Sequence, residues 1–144
     1  MNREPQRLSV QPTLQDVARA TEAFAAQLPP RLAGSARDAV QVALAEVLTN
    51  IVQHGLRDRA PAPIEVDWQE RGDVFAVDVR DGGDPIPAAC LDAAGEATFA
   101  FDPDDLASLP EGGLGLAILK SAFDVVDYRS DAGMNVLHLE KRLA

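Results

Sequence analysis

A carboxylate and an amide lie one helical turn apart on a segment that is otherwise apolar. The stretch "ALAEVLTNIVQHG" carries Glu46 and Asn50 four positions apart, so a helix places both side chains on one face. A carboxylate can orient and deprotonate an attacking hydroxyl group, and an amide oxygen is a suitable ligand for Mg²⁺, which otherwise prefers phosphate oxygens and water. His54 follows one turn later, and we interpret it as structural because this chemistry leaves it no role. A solvated helix edge would carry the same pair, so both interpretations stay open.

A second carboxylate lies at the end of a segment in which residues pointing to the apolar face alternate with residues pointing away from it. In "VFAVDVRD", Asp81 is in phase with the apolar residues before it, which places a carboxylate on the apolar face of a predicted strand. Burial of a carboxylate is costly unless a partner pairs with it, so this position predicts a pairing partner for Asp81. The alternative is that the strand ends one residue earlier and that Asp81 begins a turn with the two glycines that follow. Taken alone, the segment favours that alternative.

A glycine cluster opens a third segment of interest. In "EGGLGLAILK", Gly112, Gly113 and Gly115 precede or open a predicted helix. Glycine lets the backbone approach a ligand closely, and the free N–H groups at a helix N-terminus attract anions. The stretch matches neither the P-loop nor the Rossmann pattern. Loop punctuation explains the cluster equally well.

These segments must be positioned by elements that the rest of the chain predicts. Apolar periodicity predicts three helices, over residues 13–28, 35–56 and 114–123. Alternation and turn signals predict five strands, over residues 7–12, 64–70, 74–81, 124–130 and 135–143. This order predicts an α+β two-layer sandwich, with a mainly antiparallel mixed sheet and helices on one face.

Bulk composition restricts the class of protein. A length of 144 residues with 47% hydrophobic and 25% charged residues is typical of one globular domain. The net charge of −10 argues against a nucleic-acid surface or an anionic membrane surface and favours a basic protein partner or a metal-bound ligand. A single cysteine, Cys90, excludes an internal disulfide. With neither a signal peptide nor a bilayer-spanning apolar run in the sequence, we expect a cytoplasmic protein.

In order and spacing, the three segments together resemble the GHKL (Bergerat-fold) ATP-binding superfamily. "EVLTNIVQHG" resembles its N box, "DGGDP" its first glycine box and "GGLGLAIL" its second. The resemblance implies a single histidine-kinase-like ATP-binding domain over residues 1–144, with an ATP lid over residues 88–111. It implies that the Asp81 carboxylate recognises adenine by accepting a hydrogen bond from its amino group, and that Gly83 lies beside the base. The second glycine box would contact the phosphates through Gly112, Gly113, Leu114, Gly115 and Leu116.

Within that superfamily the chain is most similar to the anti-sigma factor serine/threonine kinases of bacterial stress response and sporulation. The early helix "DVARATEAFAAQL", the His-Gly after the N box and the "DVVDY" strand carry this similarity. It implies an ATP- and Mg²⁺-dependent protein kinase and transcription regulator. Such a protein sequesters a sigma factor and phosphorylates a serine or threonine of an anti-anti-sigma antagonist; a homodimer stays open.

The same resemblance assigns roles to individual residues. Glu46 would be the general base and Asn50 the Mg²⁺ ligand. Arg19 would contact partner proteins, although a solvent-facing arginine paired with its helix neighbours explains it equally well. Two other functions stay open: a nucleotide-gated binding module without kinase activity, and a stand-alone ATP domain related to two-component histidine kinases.

Overall fold

The elements follow one another in the predicted order. The computed structural model describes residues 4–55, 62–83 and 113–143. Its elements are β1 (Gln6–Val10), α1 (Leu14–Ala26), α2 (Gly34–Asn50), a π-helical segment (Ile51–Gly55), β2 (Ile64–Arg71), β3 (Val74–Asp81), α3 (Gly113–Ala122), β4 (Val125–Asp131) and β5 (Met134–Arg142). The predicted lid, residues 88–111, lies outside the described residues, as does Gly112.

The five strands form one sheet in the order β1-β2-β3-β5-β4, and all four pairings are antiparallel. Two-residue turns join the hairpins. Ala132 and Gly133 both have positive φ, 53° and 79°, as a type I′ hairpin turn requires. The predicted α+β fold class with a mainly antiparallel sheet is therefore confirmed.

The helices cover one face of this sheet. A single core cluster joins buried side chains of α1, α2 and α3 to the inward residues of the strands. On α2, the predicted apolar stripe is buried along its length, at Val40, Ala43, Leu44, Val47 and Leu48. In the strands, the period of two sends alternate residues to the core. Within the described residues, no helix combines the length and hydropathy needed to cross a bilayer.

The second predicted helix changes its winding near its end. The α-helical part ends at Asn50, and Ile51–Gly55 continue as a π-helix. A π-helix closes hydrogen bonds from i to i+5 rather than from i to i+4. The backbone therefore leaves the 3.6-residue register on which the predicted row of Glu46, Asn50 and His54 depends.

Arg37 of α2 caps the C-terminal end of α1. Its guanidinium donates to the carbonyl oxygens of Ala25 (3.2 Å), Leu28 (3.5 Å), Pro29 (3.2 Å) and Leu32 (2.9 Å). The last carbonyls of a helix have no partner within the helix. One side chain therefore bonds a carbonyl in the last turn of α1 and three carbonyls of the following loop, and it connects both to α2.

Candidate functional site

The inward face of the sheet ends in polar residues where β3 and β5 meet. Asp81 is the last residue of β3 and aligns with Asn135 of β5. Both side chains are buried, with 8% and 2% of their surface exposed. Directly opposite residues of an antiparallel pair have adjacent side chains. The pairing therefore places a carboxylate against an amide at the edge of the apolar core.

One oxygen of Asp81 is held by two donors. Asp81 Oδ1 accepts hydrogen bonds from the Gly83 backbone N–H (2.8 Å) and from Asn135 Nδ2 (3.0 Å). Asn135 Nδ2 also donates to the Gly83 carbonyl oxygen (2.8 Å), and Asn135 Oδ1 accepts from Ser130 Oγ (2.7 Å). Within the described residues, Asp81 Oδ2 has no donor. The carboxylate is therefore secured on one side and remains an acceptor on the other.

Asp81 is the last residue of β3, so the strand does not end one residue earlier, yet Asp81 also begins a turn. The side chain lies in phase with the buried residues of β3, as the alternation predicts. It also accepts from the N–H two residues later, which is the Asx-turn pattern of an aspartate that begins a turn. The Asp81 carboxylate is therefore both buried and part of a turn.

Asn135 and Ser130 are site residues that the sequence reasoning missed. Asn135 is in phase with the buried Leu137 and Leu139, so it is a polar residue on the apolar face of a strand, as Asp81 is. That signal could have singled it out. The contact with Asp81 depends on the register between strands 54 positions apart, which no local pattern contains.

Glu46 and Asn50 lie in the last part of α2, at the border of its buried face. Both side chains are half-buried, whereas Val47 and Leu48 between them are in the core. Neither has a hydrogen-bond partner among the described residues. The π-helical segment begins directly after Asn50, and such segments are frequent at functional sites. The border position that the sequence predicts is present, and the catalytic and metal roles stay predictions.

The segment predicted to be the second glycine box continues, from Gly113 onward, as the start of α3. The helix begins at Gly113, so Leu114, Gly115 and Leu116 belong to its first turn. The first N–H groups of a helix have no intrahelical acceptor and attract anions. Because α3 packs against α2, the helix that presents these groups is attached to the helix that carries Glu46 and Asn50.

Arg19 of α1 is engaged within its own part of the fold. Its Nε and Nη2 donate to the two carboxylate oxygens of Asp16 (2.5 and 3.0 Å), and Nη2 also donates to the Ser9 carbonyl oxygen (3.1 Å). Hydrogen bonds from the Arg19 guanidinium, and then from the Gln11 N–H, lower the pKa of Asp16 to about 2. With 51% of its side chain exposed, Arg19 combines this intramolecular pairing with an accessible surface.

Comparison with known proteins identifies the fold family. The family model of the histidine kinase-like ATPase domain matches residues 10–141. The chain belongs to this family. The predicted resemblance of the chain to the histidine-kinase-like ATPase superfamily is thereby confirmed.

Two similar proteins add detail. The chain is 30% identical over 98 residues to the serine-protein kinase RsbW of Bacillus velezensis. The aligned region covers 67% of this chain and 59% of that protein. The histidine kinase domain of the blue-light activated histidine kinase of Erythrobacter litoralis superposes with a TM-score of 0.56 at 16% identity, over 90% of this chain and 60% of that one. The second similarity shows a shared fold of the histidine kinase-like ATPase type.

Proposed function

We propose that this histidine kinase-like ATPase domain is an ATP-dependent protein serine/threonine kinase that also acts as an anti-sigma factor. Asp81 is the observation that carries the nucleotide part of the proposal. Its Oδ1 is occupied by two donors, and Oδ2 is left as an acceptor within the described residues. The exocyclic amino group of adenine supplies a donor for such an oxygen. Guanine would present a carbonyl oxygen instead, and two acceptors would face each other.

The residues present fit Mg²⁺ that is held mainly by phosphate oxygens. Among the residues that the structure describes, no group of three or more His, Cys, Asp or Glu side chains could hold a metal ion. Mg²⁺ commonly takes only one or two protein ligands and completes its shell with phosphates and water. The amide oxygen of Asn50 would be such a ligand. When bound, the ion neutralises charge on the transferring phosphoryl group.

The transfer step assigns a proton to Glu46. The hydroxyl oxygen of the acceptor serine or threonine attacks the γ-phosphorus, the bond to the ADP oxygen breaks, and the hydroxyl proton passes to the Glu46 carboxylate. The N–H groups of the first turn of α3 would bind phosphate oxygens. Between Arg80 and Lys120 the sequence contains no lysine or arginine, so this stretch offers the phosphates backbone donors rather than cationic side chains.

The regulatory part of the proposal rests on similarity and charge. The similar protein RsbW is a serine-protein kinase, which supports phosphorylation of a protein serine. The net charge of −10 suits a partner with a basic surface. The half-exposed Arg19 on α1 is our proposed contact to a sigma factor and to its antagonist.

Calorimetry and phosphotransfer test the two activities separately. We expect Mg²⁺-ATP and Mg²⁺-ADP to bind with measurable heat and Mg²⁺-GTP to bind far more weakly. With γ-³²P-ATP, label should pass to a serine or threonine of a small antagonist protein encoded beside this chain. No heat and no thermal shift at millimolar Mg²⁺-ATP would refute the nucleotide site.

The second candidate is a nucleotide-gated binding module, favoured by the absence of cationic residues between Arg80 and Lys120. Under this function, the protein would bind Mg²⁺-ATP and a sigma factor, and no label would reach the antagonist. The labelling experiment therefore distinguishes the two functions on one preparation.

A further inference from the structure

A relay of hydrogen bonds runs from the exposed Ser130 through the buried Asn135 to Asp81 and Gly83. We propose that Asn135 is the positioning residue of the base site. By holding Asp81, it determines the preference for a purine with a 6-amino group over one with a 6-oxo group. The inference rests on the proposed nucleotide function and deepens it. Asn135 acts on the ligand through Asp81 and is not a catalytic residue.

Asp81 and the Gly83 carbonyl determine which end of the Asn135 amide faces them. Asp81 Oδ1 and the Gly83 carbonyl oxygen both accept, so the NH₂ end faces them, and Asn135 Oδ1 on the other side accepts from the Ser130 hydroxyl. A flipped amide would turn its oxygen toward two acceptors and lose two hydrogen bonds. Since Asn135 is almost fully buried, water cannot replace those bonds. The orientation of the amide is therefore uniquely specified.

The fixed amide in turn specifies the orientation of the Asp81 carboxylate. Two donors from different segments converge on Oδ1: the Gly83 N–H just after β3, and the Asn135 NH₂ on β5. Rotation of the carboxylate would exchange the two oxygens or break one of these bonds. Oδ2 is therefore kept as an acceptor with a defined direction, which is the requirement for discriminating an amino group from a carbonyl group.

The same NH₂ group also positions Gly83. By donating to the Gly83 carbonyl oxygen, Asn135 ties the segment after β3 to the neighbouring strand. Gly83 is the residue predicted to lie beside the base. A change at Asn135 therefore alters both proposed contacts of the base, and its effect should appear in base selectivity and not only in stability.

Three variants separate the links of the relay. Asn135→Asp places a carboxylate against Asp81 and the Gly83 carbonyl. Asn135→Thr retains one hydroxyl donor, which can serve only one of the two acceptors. Ser130→Ala leaves Asn135 and its two donor contacts intact but removes the hydrogen bond to Asn135 Oδ1. Glu70→Gln is the matched control, because Glu70 is a buried carboxylate on the same sheet face and lies near Arg31 (3.7 Å) rather than Asp81.

The experiment measures dissociation constants of Mg²⁺-ATP and Mg²⁺-GTP by calorimetry for the parent and all four variants. We expect Asn135→Asp to weaken ATP binding by about 10- to 100-fold, the worth of a buried hydrogen bond to a charged group. The ATP-to-GTP preference should fall toward one. Asn135→Thr and Ser130→Ala should shift both quantities in the same direction by less, and Glu70→Gln should shift neither. Without nucleotide, exchange of the Gly83 amide hydrogen should be faster in the Asn135 variants.

The outcomes distinguish the inference from the function beneath it. If Asn135→Thr and Ser130→Ala fold and keep the parent's ATP affinity and base preference, the inference is wrong and the nucleotide site stands. Equal losses of ATP and GTP affinity would also overturn it, since they indicate a structural role. A parent protein that binds neither nucleotide would refute the proposed function and the inference together. If Asn135→Asp does not fold, the two milder variants carry the test.

Discussion

At the scale of single residues, Asp81 depends on having two acceptor oxygens. One oxygen accepts from the Gly83 N–H and from Asn135, and the other, which has no donor among the described residues, is the proposed acceptor for the ligand. An amide at this position cannot meet both demands, because one orientation turns its NH₂ toward two protein donors. The other orientation turns the NH₂ toward the adenine amino group.

We therefore expect Asp81→Asn to lose most of the rise in melting temperature that Mg²⁺-ATP produces in the parent. Ligand stabilisation follows RT ln(1 + [L]/Kd), so a weaker site gives a smaller shift at the same concentration. Thermal unfolding with and without millimolar Mg²⁺-ATP measures this rise in melting temperature. Asp78→Asn on the outward face of the same strand is the control and should keep the full shift. An unchanged shift in Asp81→Asn would contradict the assignment.

For Glu46 and Asn50 on α2 we make a second prediction at the scale of single residues. Glu46→Ala should retain Mg²⁺-ATP affinity, whereas phosphotransfer should fall by roughly 10²- to 10⁴-fold, the usual worth of general-base catalysis. Asn50→Ala should lose both Mg²⁺-dependent affinity and transfer, because it removes a metal ligand. Calorimetry and labelling of the antagonist measure the two effects. If Glu46→Ala transfers phosphate at the parent's rate, Glu46 is only a polar helix edge.

At the scale of elements, a guanidinium on α2 adds hydrogen bonds to the apolar packing between α1 and α2. Arg37 donates to four carbonyl oxygens at and beyond the end of α1. Ala25 and Pro29 also accept backbone N–H groups, so removing the guanidinium takes the hydrogen-bond donor from the Leu28 and Leu32 carbonyls. A methionine preserves much of the apolar stem.

We expect Arg37→Met to lower the free energy of unfolding by about 1–3 kcal/mol. Urea denaturation measures the change. Arg142→Met is the control, because the exposed Arg142 side chain should contribute within about 0.5 kcal/mol. Equal losses in the two variants would show that the cap adds nothing beyond an ordinary surface arginine.

At the scale of the whole molecule, the outward face of the sheet is a charged layer opposite the helices. His138 lies between two carboxylates, with Nδ1 and Nε2 each 2.7 Å from an oxygen of Asp78 and Glu140 respectively. Asp127 faces it from the paired position on β4. Partial burial opposes the charge, but the hydrogen bonds to Glu140 and Asp78 outweigh it and raise the pKa of His138 above 6.5.

This arrangement predicts a pH dependence of stability with a definite sign. A histidine whose pKa is higher in the folded state stabilises the fold fully below the unfolded pKa of 6.5, and that contribution is lost as the pH rises through the folded value. Urea unfolding at steps between about pH 6 and pH 9 should show this loss. His138→Gln should remove it. If the stability of His138→Gln changes with pH as the parent's does, groups other than His138 cause the pH dependence.

Local periodicity in the sequence was sufficient to predict the helices and strands of this protein and the faces on which several candidate residues lie. The periods of 3.6 and 2 determine which residues form helices and strands, and they place Asp81 on a buried face and Glu46 and Asn50 on a helix border. The same local reasoning missed the π-helical end of the second helix, because the α- and π-windings of a chain differ in packing rather than in pattern.

The contacts that complete the candidate site were decided only by the tertiary structure. Asp81 meets Asn135, and through it Ser130, because β3 and β5 are neighbours in the sheet and pair in one register. Strand order and register follow from how all apolar faces are buried together, so no segment contains them alone. For the same reason, the four carbonyls that Arg37 caps could not be foreseen from the helix that carries it. The sequence by itself determined which groups could act; the packing of the sheet and helices decided which of them touch.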